Sequence, residues 1–119
     1  WTALLEHLPQ RKVILTSADA NHARRVLAHM QISSYFERIL DIYALAPFAK
    51  PQPEAFQRAL EIVGETDPRV CMLIDDLPPT TRAAREFGMF SVLKGNKGNG
   101  KDANAQINNW TEFSKLIEM

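Results

Sequence analysis

Apolar residues recur along the chain with two different spacings, and the way these spacings alternate predicts the secondary structure. Apolar residues three or four positions apart are typical of amphipathic helices, which we predict at residues 4–8, 21–31, 53–63, 80–87 and 110–117. Short continuous apolar runs are typical of strands covered on both faces, which we predict at residues 13–15, 39–43, 70–74 and 90–93. Helices and strands therefore alternate along the sequence.

This alternation favours an α/β fold. Strands separated by helices pair in parallel through right-handed crossovers, so we expect a three-layer, Rossmann-like sheet with flanking helices. A length of 119 residues is that of one domain, and we assign residues 1–119 to a single core domain. Within it, residues 94–106 are predicted to form a loop rich in Gly, Asn and Lys. In such folds, ligands bind beyond the carboxyl ends of the strands.

The composition argues against several classes of binding partner. Fourteen basic residues balance fourteen acidic ones, so no overall field attracts a nucleic acid polymer or an anionic membrane. The only cysteine, Cys71, lies in an apolar run, which argues against disulfides and against a cysteine zinc site. No apolar stretch approaches the roughly 20 residues that span a bilayer. We expect a soluble, cytoplasmic protein whose ligand is bound by local groups.

Polar residues appear where the predicted strands stop. Thr16 and Ser17 follow the first strand, Lys50 precedes a helix, and Asp75 with Asp76 follows the third strand. Two adjacent carboxylates repel each other, and this repulsion favours either a shared proton or a hard cation such as magnesium. An aspartate pair in this position can also cap the next helix, and that alternative stays open.

Lys50 and Thr16 have chemistry that suits a phosphate group. Two prolines follow the lysine in the run KPQPEAF and restrict the direction in which its ammonium can point. The hydroxyl of Thr16 can donate a hydrogen bond from the end of a strand. Considered alone, Lys50 is better explained as an ordinary exposed loop lysine, and Thr16 is equally consistent with a helix cap.

Three segments together resemble motifs of the haloacid dehalogenase superfamily. The stretch LTSADANHA is similar to its second motif, KPQPEAF to its third, and LIDDLPPTTRAAREFGM to its fourth. The resemblance covers about residues 4–93. Within the superfamily, the spacing of Thr16, His22 and Ala23 is similar to that of the pyrimidine 5′-nucleotidase group.

The resemblance implies a magnesium-dependent phosphatase that acts on a small phosphomonoester, such as a nucleoside 5′-monophosphate, through an aspartyl-phosphate. The catalytic residues it implies are Thr16, Lys50 and Asp76. Thr16, Ser17 and Lys50 would bind the substrate phosphate, and Asp75 and Asp76 would hold Mg²⁺.

The sequence also departs from this family. It contains no Asp-x-Asp-x-Thr, the family's first motif and the source of its nucleophile, and Asp19 is predicted to be a turn or cap residue instead. We therefore expect a C-terminal core fragment that lacks the first strand and the cap, is inactive alone, and is completed by an N-terminal segment or by another copy. The alternative is a non-enzymatic module that binds phosphate or a protein.

Two further patterns carry no function in this interpretation. Residues 95–101, GNKGNGK, have the spacing of a phosphate-binding P-loop, but Asp102 stands where that loop needs Ser or Thr. His7, His22 and His29 lie on separate turns without a neighbouring cluster of ligands, which argues against a histidine metal site.

Overall fold

A computed structural model describes residues 2–117. The chain forms two compact units, the first ending at Ala49 and the second beginning at Lys50. Each unit contains its own parallel sheet. No helix among the described residues is long and apolar enough to cross a membrane.

Over its described residues, 2–49, the first unit forms a two-stranded sheet and three helices. Its elements, in chain order, are α1 (Thr2–His7), β1 (Val13–Leu15), α2 (Ala20–His29), β2 (Arg38–Leu40) and α3 (Ile42–Leu45), with a 3₁₀ turn at Ser33–Tyr35. Strands β1 and β2 pair in parallel, so that Leu15 lies opposite Leu40. Their carboxyl ends therefore meet at one edge.

Helix α2 shows how the sequence builds this unit. The Asp19 side chain accepts a hydrogen bond from the backbone N–H of His22 and so caps the helix at its start. Ala23 and Leu27, four residues apart, are the buried positions of the helix. Leu27 joins Leu5 and Ile32 in a small apolar cluster, against which partly buried side chains of both strands also pack.

The second unit contains a three-stranded parallel sheet. Its elements, in chain order, are α4 (Pro53–Val63), a 3₁₀ turn (Pro68–Val70), β3 (Met72–Asp75), α5 (Pro78–Phe87), β4 (Phe90–Lys94), β5 (Ala105–Ile107) and α6 (Trp110–Ile117). The strand order is β3-β4-β5, and Asp75 lies opposite Leu93. The segments after β3 and β4 therefore leave the sheet at the same edge.

Helix α4 supplies much of the buried core of this unit. Pro53 occupies its first turn, where a missing backbone N–H costs nothing, and Gly64 ends it with the left-handed φ of 81° that favours glycine. Phe56 is fully buried, and its ring centroid lies 6.0 Å from that of Phe87 in α5. The buried positions of the two helices are Ala55, Phe56, Ala59, Leu60, Thr80, Thr81 and Ala84.

The predicted α/β class is confirmed, because all pairs of strands in the described part of the chain are parallel and helices flank the strands. Helix α4 was predicted with its observed bounds. Some other bounds were wrong. The strand expected over residues 39–43 ends at Leu40, because Asp41 accepts a hydrogen bond from the Ala44 N–H and starts α3.

Other differences lie in the second unit. The strand expected from Val70 begins at Met72, since Val70 ends the preceding 3₁₀ turn. The predicted loop at 94–106 is shorter than expected, because Lys94 belongs to β4 and Ala105 begins β5. The single-domain assignment of residues 1–119 stays a prediction.

Candidate active site

Lys50 and Asp75 form an ion pair at the carboxyl end of β3. The ammonium Nζ lies 3.1 Å from the Asp75 Oδ2, and the two side chains are only 10% and 12% exposed. Asp75 is the last residue of β3, and Lys50 precedes α4. The fold therefore brings together two residues that are 25 positions apart and that the sequence had marked separately.

The two carboxylates of the aspartate pair have different surroundings. The second oxygen of Asp75, Oδ1, accepts a hydrogen bond of 3.0 Å from the backbone N–H of Leu77. Asp76 is exposed, and within residues 2–117 its carboxylate has no hydrogen-bond or ion-pair partner. Helix α5 begins at Pro78 without a side-chain cap. Neither aspartate therefore caps that helix.

The donor set at this edge suits magnesium. Mg²⁺ prefers oxygen ligands, keeps several waters, and is commonly held by one or two carboxylates together with substrate phosphate. Asp76 offers an uncommitted carboxylate, and each Asp75 oxygen accepts a single hydrogen bond and so keeps a lone pair. No group of three His, Cys, Asp or Glu side chains suitable for a metal occurs in the described residues. Asp75 and Asp76 would therefore need phosphate and water to complete a magnesium site.

Thr16 and Ser17 lie in the first unit, directly after β1. The Thr16 backbone N–H continues the parallel pairing by donating to the Leu40 carbonyl over 3.0 Å. Its hydroxyl oxygen accepts a hydrogen bond of 3.1 Å from the Ala18 N–H, which closes a small turn and leaves the hydroxyl hydrogen available to donate. Thr16 is half-buried and Ser17 is exposed. Thr16 is not the cap of α2, since Asp19 fills that position.

Asp41 is a half-buried carboxylate near this edge that sequence reasoning did not single out. It directly follows β2, and its two oxygens accept hydrogen bonds from the backbone N–H groups of Ala44, at 2.8 Å, and Ala20, at 3.0 Å. The bond from Ala44, reinforced by that from Ala20, holds the pKa of Asp41 below its ordinary value of 3.8. Asp41 thus fixes the starts of α2 and α3. Because Asp41 lay inside the strand predicted at residues 39–43, no separate signal in the sequence marked this role.

Asp102, which stands where a P-loop needs Ser or Thr, has a structural role. Its carboxylate is 7% exposed and accepts hydrogen bonds from Arg82 Nε of α5, at 2.9 Å, and from the Asn99 N–H, at 2.8 Å. The hydrogen bond from Asn99, helped by Arg82 and opposed by burial, lowers the pKa of Asp102 from 3.8. This carboxylate ties the loop after β4 to α5.

Of the predicted site residues, the structure joins Lys50 to Asp75 and places Asp76 next along the chain. Thr16 and Ser17 lie at the carboxyl end of the other sheet. The expectation that Thr16, Ser17 and Lys50 bind the substrate phosphate while Asp75 and Asp76 hold Mg²⁺ stays a prediction.

Solved structures resemble this chain over 83% to 99% of its length. A putative hydrolase from Bacillus subtilis, YfnB, bound to magnesium, is 14% identical with a TM-score of 0.84, and the match covers 99% of this chain and 52% of that one. A phosphatase from Thermococcus onnurineus is 22% identical with a TM-score of 0.81, and the match covers 98% of this chain and 54% of that one. A β-phosphoglucomutase from Clostridium difficile is 31% identical with a TM-score of 0.68, and the match covers 83% of this chain and 44% of that one.

These likenesses support the Rossmann-like fold, and the chain spans about half the length of each matched structure. The family comparison goes further, because residues 2–88 match the haloacid dehalogenase-like hydrolases. That match includes both segments that form the Lys50–Asp75 pair and covers well over half of the sequence. The chain belongs to the haloacid dehalogenase-like hydrolase family.

Proposed function

We propose that this chain supplies the phosphate-binding and magnesium-binding groups of a phosphatase that acts on a small phosphomonoester. The observation that carries the proposal is the Lys50–Asp75 ion pair at the carboxyl end of β3, with the exposed carboxylate of Asp76 beside it. An ammonium paired with the first of two consecutive aspartates can hold a phosphate dianion and a hard cation at neighbouring positions. Membership in a hydrolase family supports a hydrolytic reaction.

Each residue has a distinct role in this proposal. Lys50 neutralises the phosphoryl oxygens, and the Thr16 hydroxyl donates a hydrogen bond to one of them, assisted by Ser17. Asp75 and Asp76 hold Mg²⁺. When bound, the metal withdraws charge from the phosphoryl group and orients it for in-line attack.

The nucleophile in this proposal lies outside residues 1–119. A phosphatase that works through an aspartyl-phosphate needs a carboxylate to attack phosphorus. The sequence contains no Asp-x-Asp-x-Thr, and Lys50, Asp75 and Asp76 are assigned to binding. Residues 1–119 alone are therefore expected to bind phosphate without hydrolysing esters.

The proposed substrate is a small phosphate ester, and a nucleoside 5′-monophosphate is the specific candidate because of the spacing of Thr16, His22 and Ala23. Nucleic acid polymers and membranes are not expected partners, given the balanced charge. A cytoplasmic location and completion of the sheet by an N-terminal segment or another copy belong to the same proposal.

A second candidate is a non-enzymatic module that binds phosphate or a protein, which the absence of the nucleophile motif from this sequence favours. Phosphatase assays with p-nitrophenyl phosphate and nucleoside 5′-monophosphates distinguish the two. They compare residues 1–119 with the longest natural protein containing them. We expect magnesium-dependent turnover only in the longer protein, abolished by Lys50→Ala. Turnover by neither protein, despite correct folding, would favour the non-enzymatic module.

A further inference from the structure

Lys50, which is proposed to bind phosphate, and Asp75, which is proposed to bind magnesium, form an ion pair with each other. Lys50 Nζ lies 3.1 Å from Asp75 Oδ2, with both side chains about nine-tenths buried. Solvent and salt screen such a pair far less than one at the surface. The pair therefore places a positive charge against the Asp75 carboxylate in the absence of any ligand.

A cation that approaches this edge meets two unequal carboxylates. Both oxygens of Asp75 are already engaged, one by Lys50 and the other by the Leu77 N–H. The carboxylate of Asp76 is exposed and has no partner within residues 2–117. Mg²⁺ must therefore compete with the Lys50 ammonium for the Asp75 carboxylate.

We propose that the Lys50–Asp75 pair couples magnesium binding to phosphate binding, an inference that rests on the proposed function. Without phosphate, Lys50 holds Asp75 Oδ2 and repels the metal, so Mg²⁺ binds weakly. A bound phosphate dianion attracts the ammonium and reduces its hold on that oxygen, which then becomes available to the metal. The flexible stem and three donors of a lysine allow this redistribution without a change in the backbone.

Thermodynamic linkage makes the effect reciprocal. If phosphate strengthens Mg²⁺ binding by some factor, Mg²⁺ strengthens phosphate binding by the same factor. Coupling between two sites commonly amounts to 5- to 150-fold. The pair thereby favours loading of the metal together with the substrate.

The test is calorimetric titration of residues 1–119 with Mg²⁺, with and without saturating inorganic phosphate. It uses the wild type, Lys50→Met and the control Lys94→Met. Lys94 ends the neighbouring strand β4, where its ammonium lies 5.5 Å from the centroid of the Trp110 ring. The control removes the same charge from the same edge of the sheet and leaves the Lys50–Asp75 pair in place.

We expect phosphate to tighten Mg²⁺ binding to the wild type and to Lys94→Met by about tenfold. Lys50→Met should bind Mg²⁺ alone about tenfold more tightly than either, because Asp75 has lost its internal counterion. Equal or weaker Mg²⁺ binding by Lys50→Met, with its circular dichroism unchanged, would overturn the coupling. If that variant is unfolded, the wild-type titrations test the coupling by themselves. A change of less than about twofold in the Mg²⁺ affinity of the wild type on addition of phosphate also overturns the coupling. Failure of the wild type to bind Mg²⁺ with or without phosphate instead contradicts the proposed function.

Discussion

Two carboxylates of the second unit have nearly the same bonds and different surroundings. Asp75 accepts from Lys50 at 3.1 Å and from the Leu77 N–H at 3.0 Å, while Asp102 accepts from Arg82 at 2.9 Å and from the Asn99 N–H at 2.8 Å. Both aspartates are nearly buried, at 12% and 7% exposure. The number and kind of hydrogen bonds therefore do not distinguish a binding site from a structural contact such as that of Asp102 with Arg82 and the Asn99 N–H, which we call the Asp102 clasp.

The exposure of the cation and the charge of the adjacent residue distinguish them. Lys50 is 10% exposed, whereas Arg82 is 51% exposed. Asp75 is followed in the chain by a second carboxylate, Asp76, whereas neither chain neighbour of Asp102 is acidic. The Asp102 pair has one negative charge and one positive charge. Next to Asp75, the carboxylate of Asp76 adds a second negative charge that has no partner in residues 2–117. This additional charge favours the binding of a cation.

The largest expected effect is the difference in Mg²⁺ affinity between variants of Asp75 and of Asp102. Asp75→Asn should weaken Mg²⁺ binding, measured with inorganic phosphate present, by roughly 100-fold, since even residues that only support metal ligands contribute about 10- to 100-fold. The matched variant Asp102→Asn should keep the wild-type affinity. Equal losses in both folded variants would mean that the two carboxylates do not differ in function.

The cations should differ in the same way towards phosphate. Lys50→Met should weaken binding of inorganic phosphate by about tenfold, because a hydrogen bond to a charged group contributes about 1.5 kcal/mol or more. Arg82→Met removes the partner of Asp102 and should leave phosphate affinity unchanged. Titration followed by NMR measures both, and weaker phosphate binding by Arg82→Met alone would reverse the assignment.

The clasp itself can be disturbed without changing any charge. Gly98 has a φ of +76°, and a Cβ built on it would lie 2.6 Å from Asp102 Oδ2. Gly98→Ala should therefore lower the free energy of unfolding by about 1 kcal/mol or more. The control is Gly100→Ala, where a Cβ meets nothing within 4 Å. Urea denaturation should place the Gly98 variant clearly below the Gly100 variant, and equal stabilities would show that the clasp is loosely packed.

The smallest effect is the pH dependence of the clasp. The pKa of Asp102 is lowered on folding, so the unfolded chain binds protons more readily and the stabilisation is present above the ordinary value of 3.8. It is lost as the pH falls through the lower folded-state value. In Asp102→Asn, the difference in unfolding free energy between about pH 7 and about pH 3 should shrink relative to the wild type. An unchanged difference would place the acid sensitivity in other carboxylates, of which Asp41 is one.

Sequence reasoning succeeded where local signals agreed. The bounds of α4 were predicted because Pro53 and Gly64 mark its two ends, and the α/β class followed from the alternation of patterns. Strand β5 carries only three residues, one of them the polar Gln106, and so gives no periodic signal. An apolar run also could not show that Asp41 would end β2 and start α3.

The site was predictable as a set of residues and not as a set of contacts. The motifs marked Lys50 and Asp75, but their ion pair joins positions 25 apart and depends on how α4 and β3 pack. Asp102 could be excluded from a P-loop by its chemistry, yet its pairing with Arg82, 20 positions earlier, has no local signal. Such long-range pairs are set by tertiary packing, which a single sequence does not specify directly.

The most direct test of the central claim follows the backbone amides of ¹⁵N-labelled residues 1–119 by NMR while Mg²⁺ and inorganic phosphate are added together. The claim is that the Asp75 edge, and not the Asp102 clasp, binds these ligands. We predict the largest shifts at Lys50, Asp75, Asp76 and Leu77, with the amides of Asn99 and Asp102 nearly unchanged. Largest shifts at Asn99 and Asp102, with those of Asp75 and Leu77 unmoved, would contradict the account.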